Sequence, residues 1–155
     1  MKFICNKDTI LSVVQTTSKA AAGKSSIQAL EGILMELEGN TLTVTGYDLD
    51  IGIKTSIEVE GIESGNIVIS AKMAVDIIRK MPSGSITFEC SGNNLAEITN
   101  NMTSFSVSCS SADDYPNVPQ VNPDTSFTMP QKLLKSMIIQ TKFAVAVVDS
   151  KPALM

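Results

Sequence analysis

The spacing of apolar residues alternates between two periods along the chain. In three segments apolar side chains recur every three or four residues, which predicts amphipathic helices. We predict these helices from about Lys7 to Ala21, from about Ala71 to Met81, and from Pro130 through Ile138. Asn6 and Ser70 are suitable N-caps for the first two helices. Pro130 suits a first helical turn, because its missing N–H costs nothing there.

Between these helices the apolar residues alternate with polar ones, which predicts β-strands. The clearest run extends from Ile51 to Val59, and Phe105–Cys109 forms another. Two further stretches, 33–44 and 86–99, predict hairpins with turns at Gly39-Asn40 and near Gly92. Each half of residues 1–110 therefore predicts one strand, one helix and a meander of three strands. This pattern favours an α+β domain of duplicated β-α-β-β-β units, with two helices on one side of antiparallel sheets.

A proline-rich segment divides the chain, since residues 116–124 hold three of its six prolines. We expect one complete domain over residues 1–120 and the truncated start of a second domain over 121–155. Shifting the sequence by 124 residues gives eight identities among the 28 pairs from Phe3/Phe127 to Leu30/Leu154. Roughly two identities are expected from average residue usage. We therefore predict that a second copy begins near Asn122, and that this sequence is a fragment of a longer protein.

Composition lowers the expectation of an enzyme or a metal site. The chain has no histidine, which removes the commonest general base and the commonest metal ligand. Its three cysteines, Cys5, Cys90 and Cys109, do not have metal-ligand spacing, and they suit thiols in a reducing cytosol. The start of the chain lacks a long apolar signal region, and no stretch reaches transmembrane length. We predict a cytoplasmic protein without cofactor or metal.

The net charge of −4 is unevenly distributed. The predicted helices and the loop after the first helix, as far as Ser25, carry nine of the twelve cations but only two carboxylates, Asp8 and Asp76. These nine are Lys7, Lys19, Lys24, Lys72, Arg79, Lys80, Lys132, Lys135 and Lys142. The pattern favours helices that face a polyanion, with sequence-independent contacts to phosphates, because no aromatic residues accompany the lysines. The alternative is that the lysines only solvate amphipathic helices.

Two motifs offer candidate chemistry, and both have simpler interpretations. Ser18–Ser25 approaches a phosphate-binding loop but lacks its first glycine and follows a helix, so a basic loop tip is favoured. Asp48 and Asp50 could be a carboxylate pair for metal-assisted hydrolysis, but turn chemistry is more typical of a strand junction. An adaptor domain that binds protein partners through an exposed sheet edge is a further alternative.

Short segments along the whole chain resemble one known family. They are Met1-Lys2-Phe3, Gly23-Lys24, Leu42–Asp50, Ser70-Ala71-Lys72, Asp76-Ile77, Met81–Gly84, Phe105–Ser108, Ala112–Asn117 and Phe127–Gln131. Together they are similar to the bacterial DNA sliding clamp, the beta subunit of the replicative DNA polymerase III. One departure is Gln28-Ala29-Leu30, where the family often has a proline.

The resemblance implies a non-catalytic processivity factor: a homodimer of three-domain chains that forms a ring around duplex DNA, lined by helices. The polymerase and the clamp loader would bind through later domains. The residues implied to face DNA are Lys19, Lys24, Lys72, Arg79, Lys80, Lys135 and Lys151. The residues implied at the dimer interface are Met73, Ile77, Met81, Phe105 and Val107.

Overall fold

A computed structural model describes residues 1–92, 94–119 and 126–145, which separate into two compact units at residues 119/120. The described part of the first unit holds nine strands and two α-helices. The strands are β1 (Lys2–Asn6), β2 (Gly32–Glu38), β3 (Thr41–Tyr47), β4 (Gly52–Glu58), β5 (Glu60–Glu63), β6 (Gly65–Ser70), β7 (Ser85–Ser91), β8 (Leu95–Thr99) and β9 (Ser104–Ser110). The helices are α1 (Lys7–Thr17) and α2 (Ala71–Lys80). None of the described helices is long and apolar enough to cross a membrane.

The strands form an antiparallel sheet in the order β4-β3-β2-β6-β9-β8-β7-β1-β5. The first strand of each repeat pairs with the other repeat, because β1 pairs with β7 and β6 pairs with β2. This exchange joins the two repeats into one domain and confirms the predicted α+β class. The strand predicted to end at Val59 ends at Glu58, and β5 follows after that one residue. The two strands have different partners, because β4 pairs with β3 and β5 pairs with β1.

Helix α1 begins where the sequence predicts. The Asn6 side-chain oxygen accepts hydrogen bonds from the Asp8 N–H at 2.9 Å and the Thr9 N–H at 3.3 Å, so the N-cap is confirmed. The apolar face of the helix is buried, with Ile10, Val13, Val14 and Thr17 turned inward. The α-helix ends at Thr17 rather than near Ala21. A 3₁₀ turn follows over Ser18–Ala20, a tighter winding that is common at helix ends.

A glycine on β3 allows the end of α1 to lie directly on the sheet. A Cβ atom added at Gly46 would overlap the backbone carbonyl of Thr17. Thr17 is fully buried at this contact. Gly46 therefore sets the position from which the loop after α1, residues 18–31, departs.

A second, smaller core covers the opposite face of β2 and β3. It contains Leu30, Tyr47, Val68 and Tyr115, so it joins the loop after α1 to the segment that follows β9. The Tyr115 hydroxyl donates to the Thr45 carbonyl oxygen at 3.3 Å. Burial raises the pKa of Tyr115 from its ordinary value of 10 to about 12, so the phenol stays a hydrogen-bond donor in alkaline solution as well. These contacts hold the segment after β9, at the C-terminal end of the first unit, against the sheet.

The described part of the second unit reproduces α1 at the predicted offset. Helix α3 (Gln131–Thr141) and the 3₁₀ turn Lys142–Ala144 have the bounds of α1 and Ser18–Ala20 plus 124 residues. The Thr141 hydroxyl donates to the carbonyls of Met137 at 3.0 Å and Ile138 at 3.3 Å. The Thr17 hydroxyl makes the equivalent two bonds at the same lengths. This agreement supports the repeat.

The apolar face of α3 is exposed in this chain, unlike that of α1. Leu134, Met137 and Ile138 occupy the repeat positions of three buried α1 residues, yet each is 44% exposed or more. Asn122, the predicted start of the second copy, and residues 146–155 lie outside the described residues. The assignment of 121–155 to a second domain of the same kind stays a prediction.

Candidate functional site

A groove of about 1000 Å³ opens between the loop after α1 and the first turn of α2. Its walls include Ser18 and Gly23 from the loop, Lys72 and Asp76 from α2, and Ser110 from β9. Lys72 and Gly23, the residue before Lys24, are distant in sequence, and both line this groove. The fold therefore brings α2 and the loop that carries Lys24 to the walls of one groove.

Five predicted DNA-facing cations of the first unit are exposed, and we name them the basic set. The basic set consists of Lys19, Lys24, Lys72, Arg79 and Lys80. Lys72 and Arg79 are seven residues apart, which places them on one side of α2 about 10 Å apart along its axis. Within the described residues, no carboxylate lies within salt-bridge distance of the four lysines of this set. Their charge is available to an anionic partner.

Arg79 differs from these lysines because it has an acidic neighbour. Its guanidinium lies 3.7 Å from the Asp76 carboxylate, and both side chains are about half exposed. An exposed pair of this kind contributes little stability. It does reduce the net positive charge that α2 presents, so we expect Arg79 to contribute less to anion binding than Lys72.

Helix α1 is less basic than its sequence indicates. Lys7 is its one lysine, and this residue is 9% exposed, with its ammonium 3.5 Å from the Asp8 carboxylate. The exposed positions of α1 instead include Thr9, Ser12 and Thr16, which are neutral hydroxyl residues. The cations near this helix come from the turn and loop that follow it.

The sheet face opposite the helices is acidic. Glu36 and Glu38 on β2 alternate with core residues such as Met35, and Glu58 on β4 follows the same pattern. Lys54 is the cation among them, with its ammonium 3.8 Å from the Glu36 carboxylate. The domain thus presents carboxylates on its sheet face and exposed cations on α2 and the loop after α1.

Five of the seven residues of β9 have an unpaired edge. Ser104–Ser108 pair with β8 on one side, whereas on the other side the pairing with β6 includes only Cys109 and Ser110. The backbone groups on the outer side of Ser104–Ser108 have no strand partner in the described part of the chain. Phe105 from this strand and Ile77 from α2 are half-buried at the margin of the main core, and Met73 is 48% exposed. An open edge beside apolar side chains is suited to pairing with another strand.

The structure places two predicted interface residues in the core instead of on the surface. Met81 is 3% exposed and Val107 is 2% exposed, and both belong to the main apolar cluster. The Met81 side chain lies inward because the chain leaves α2 at this residue. The Val107 side chain lies inward because inward-facing and outward-facing residues alternate along β9. They can pack beneath an interface, but they have almost no accessible surface with which to contact a partner. Met73, Ile77 and Phe105 remain accessible.

The two candidate catalytic motifs have structural roles. The Ser25 N–H donates to the Glu31 carboxylate at 3.2 Å, so this backbone donor already has an anionic partner. The Asp48 carboxylate accepts from the N–H groups of Ile51 at 2.7 Å and Asp50 at 3.0 Å, and these bonds lower its pKa. Asp48 therefore closes the turn between β3 and β4. Among the described residues no cluster of three metal-ligating side chains occurs.

The two other residues predicted to face DNA belong to the second unit. Lys135 is exposed on α3. Lys151 lies outside the described residues.

Residues 1–119 match the family model described as the DNA polymerase III beta subunit, N-terminal domain. The beta sliding clamps of Halalkalibacterium halodurans and Bacillus subtilis are each 32% identical over 99% of this chain and 43% of the relative. The crystal structure of the Bacillus subtilis DNA polymerase sliding clamp superposes with a TM-score of 0.87, covering 98% of this chain and 42% of that one at 32% identity. The beta subunit of Streptococcus pyogenes DNA polymerase gives 0.86 at 26% identity, with the same coverage. This chain therefore belongs to the DNA polymerase III beta subunit family, and it spans less than half the length of the curated relatives it matches.

Proposed function

We propose that this chain is part of a sliding clamp, a non-catalytic processivity factor that encircles duplex DNA and tethers the replicative polymerase. The observation that supports this best is the separation of charge in the first unit. Exposed lysines lie on α2 and the loop after α1, and carboxylates lie on the outer sheet face. The family match over residues 1–119 also supports it, so an adaptor domain without a DNA role is not favoured.

DNA contact through the basic set would be made to phosphates. Lysine is a compact, flexible charge that suits phosphate without reading base edges. Contacts of this kind typically give a Kd of roughly 10⁻⁴ to 10⁻⁶ M and a salt slope of about −0.9 per neutralised phosphate. We infer weak, sequence-independent binding, because a clamp must slide and because the net charge of −4 opposes DNA approach.

We predict that Lys24→Ala and Lys72→Ala each flatten the slope of log affinity against log salt by roughly one unit. Each removes one phosphate contact from the region around the groove. The measurement is fluorescence anisotropy of a labelled duplex titrated with this chain at several salt concentrations. Two duplexes of unrelated sequence should give the same affinity.

The matched control is Lys54→Ala, which removes an exposed lysine from the acidic sheet face. Its ammonium is paired with Glu36, so its loss should leave both the affinity and the salt slope unchanged. An equal loss from Lys54→Ala would contradict the assignment of the DNA face. Salt-insensitive or sequence-selective binding would contradict the sliding mechanism.

We also propose that the open edge of β9 is a subunit interface of a homodimeric ring. Backbone pairing along Ser104–Ser108 would extend the sheet into the partner, and Phe105, Ile77 and Met73 would be covered at the same time. This arrangement buries apolar side chains and supplies partners for exposed N–H and C=O groups.

We predict weak self-association of this chain through that edge, which Phe105→Glu should abolish because it places a charge in the apolar contact. Sedimentation velocity over a range of concentrations is the measurement. The matched control is Leu95→Glu on β8, a 46% exposed residue whose strand is paired on both sides. A chain that stays monomeric at high concentration, or one equally affected by both variants, would contradict self-association through this edge.

A further inference from the structure

Two thiols meet inside the first unit. The sulfur atoms of Cys90 on β7 and Cys109 on β9 lie 3.1 Å apart, although β8 separates their strands. The residue opposite Cys90 on β8 is Ala96, which is fully buried and has a single methyl group. This small side chain leaves room for the two sulfurs. Inspection of the sequence alone does not find the pair, because the two residues are distant and follow no motif.

The two thiols differ in access to solvent. Cys90 is half-buried, whereas Cys109 is 8% exposed. Burial, the hydrogen bond with Cys90 and repulsion from a Cys90 thiolate together raise the pKa of Cys109 to about 12. Cys109 therefore stays protonated at neutral pH, and Cys90 is the thiol that an oxidant reaches first.

We propose that Cys90 and Cys109 form a modification site at which a peroxide oxidises the two thiols to an intramolecular disulfide. The Cys90 thiolate attacks one peroxide oxygen, the O–O bond breaks, and a sulfenic acid and water form. The Cys109 sulfur then attacks the Cys90 sulfur, the S–O bond breaks, and the second water leaves with the Cys109 proton. Two thiols lose two electrons in total, and one peroxide is reduced to two waters.

The disulfide would hold β9 at the point where its pairing with β6 begins. Cys109 is the residue at which β9 begins to pair with β6, directly after the open edge Ser104–Ser108. A covalent link to β7 restrains local opening of this strand. The proposed disulfide depends on the contact between the sulfur atoms of Cys90 and Cys109, and it is independent of the proposed function.

The experiment treats the reduced 155-residue chain with hydrogen peroxide and counts free thiols by maleimide labelling and mass spectrometry. We expect three labels to fall to one and return to three after dithiothreitol, with one peptide pair linked through Cys90 and Cys109. We also expect slower amide hydrogen exchange over residues 104–110 in the oxidised chain. Cys5→Ala should form the same link, because Cys5 is buried on β1 outside the pair.

The Cys109→Ala variant separates the two steps. It should accumulate a sulfenic acid at Cys90, detected with dimedone, and should form no intramolecular disulfide. Three labels that persist in the unaltered chain would overturn the proposal. A link between two chains, or a sulfinic acid at Cys90 without a disulfide, would also overturn it. Unchanged exchange over residues 104–110 would overturn the inferred restraint on β9.

Discussion

Ile10→Ala should lower the unfolding free energy of the first unit by about 2–5 kcal/mol, because it deletes a fully buried side chain from the main core. Ile10 is 1% exposed and lies on α1 between the helix and the sheet. Its repeat equivalent on α3 is Leu134, which is 44% exposed. Urea denaturation followed by circular dichroism measures the loss, and an unchanged denaturation slope would show that only stability has changed.

Leu134→Ala is the matched control for this substitution. It removes a similar side chain from the same position of the repeated helix, but without burial its effect should stay within about 0.5 kcal/mol. A large loss from Leu134→Ala would show that α3 is packed in this chain, contrary to its exposure. A small loss from Ile10→Ala would contradict the core assignment.

Gly46→Ala should cost the first unit about 1–3 kcal/mol or more, because the added methyl group overlaps the backbone carbonyl of Thr17. Backbone atoms cannot move aside as the end of a flexible side chain can, so α1 must shift on the sheet. The loop that carries Lys24 departs from this end of the helix. We therefore expect a lower melting temperature together with weaker DNA binding.

Gly23→Ala provides the comparison for Gly46→Ala. A Cβ atom at Gly23 meets no atom within 4 Å, and this residue lies beside Lys24 in the loop. Its melting temperature should be within a few degrees of the unaltered chain. If Gly46→Ala were equally well tolerated, the direct contact between α1 and β3 would be refuted.

Local structure followed from local sequence in this protein. The N-caps at Asn6 and Ser70, the helix periodicity and the two predicted hairpins are set by neighbouring residues, so the amino-acid sequence was sufficient to place them. The third helix was predicted from Pro130 through Ile138, and α3 covers Gln131–Thr141, which are the bounds of α1 shifted by 124 residues. The bounds agree because similar residues at equivalent positions make the same local hydrogen bonds. The chain's similarity to the sliding clamps was also visible in short segments.

Tertiary structure decided which of these residues are available for function. The exchange of β1 and β6 between repeats depends on pairing between distant strands, and local periodicity carries no information about it. Counting charges along the helices likewise overstated the positive charge that α1 presents to solvent, because the count does not show that Lys7 is buried. Alternation along β9 predicted which of its positions are apolar. It did not predict that Val107 would be buried in the main core while Phe105 lies at the margin of that core. The sequence by itself determined the elements and the family; packing between distant segments decided the accessible cations, the open edge of β9 and the contact between Cys90 and Cys109.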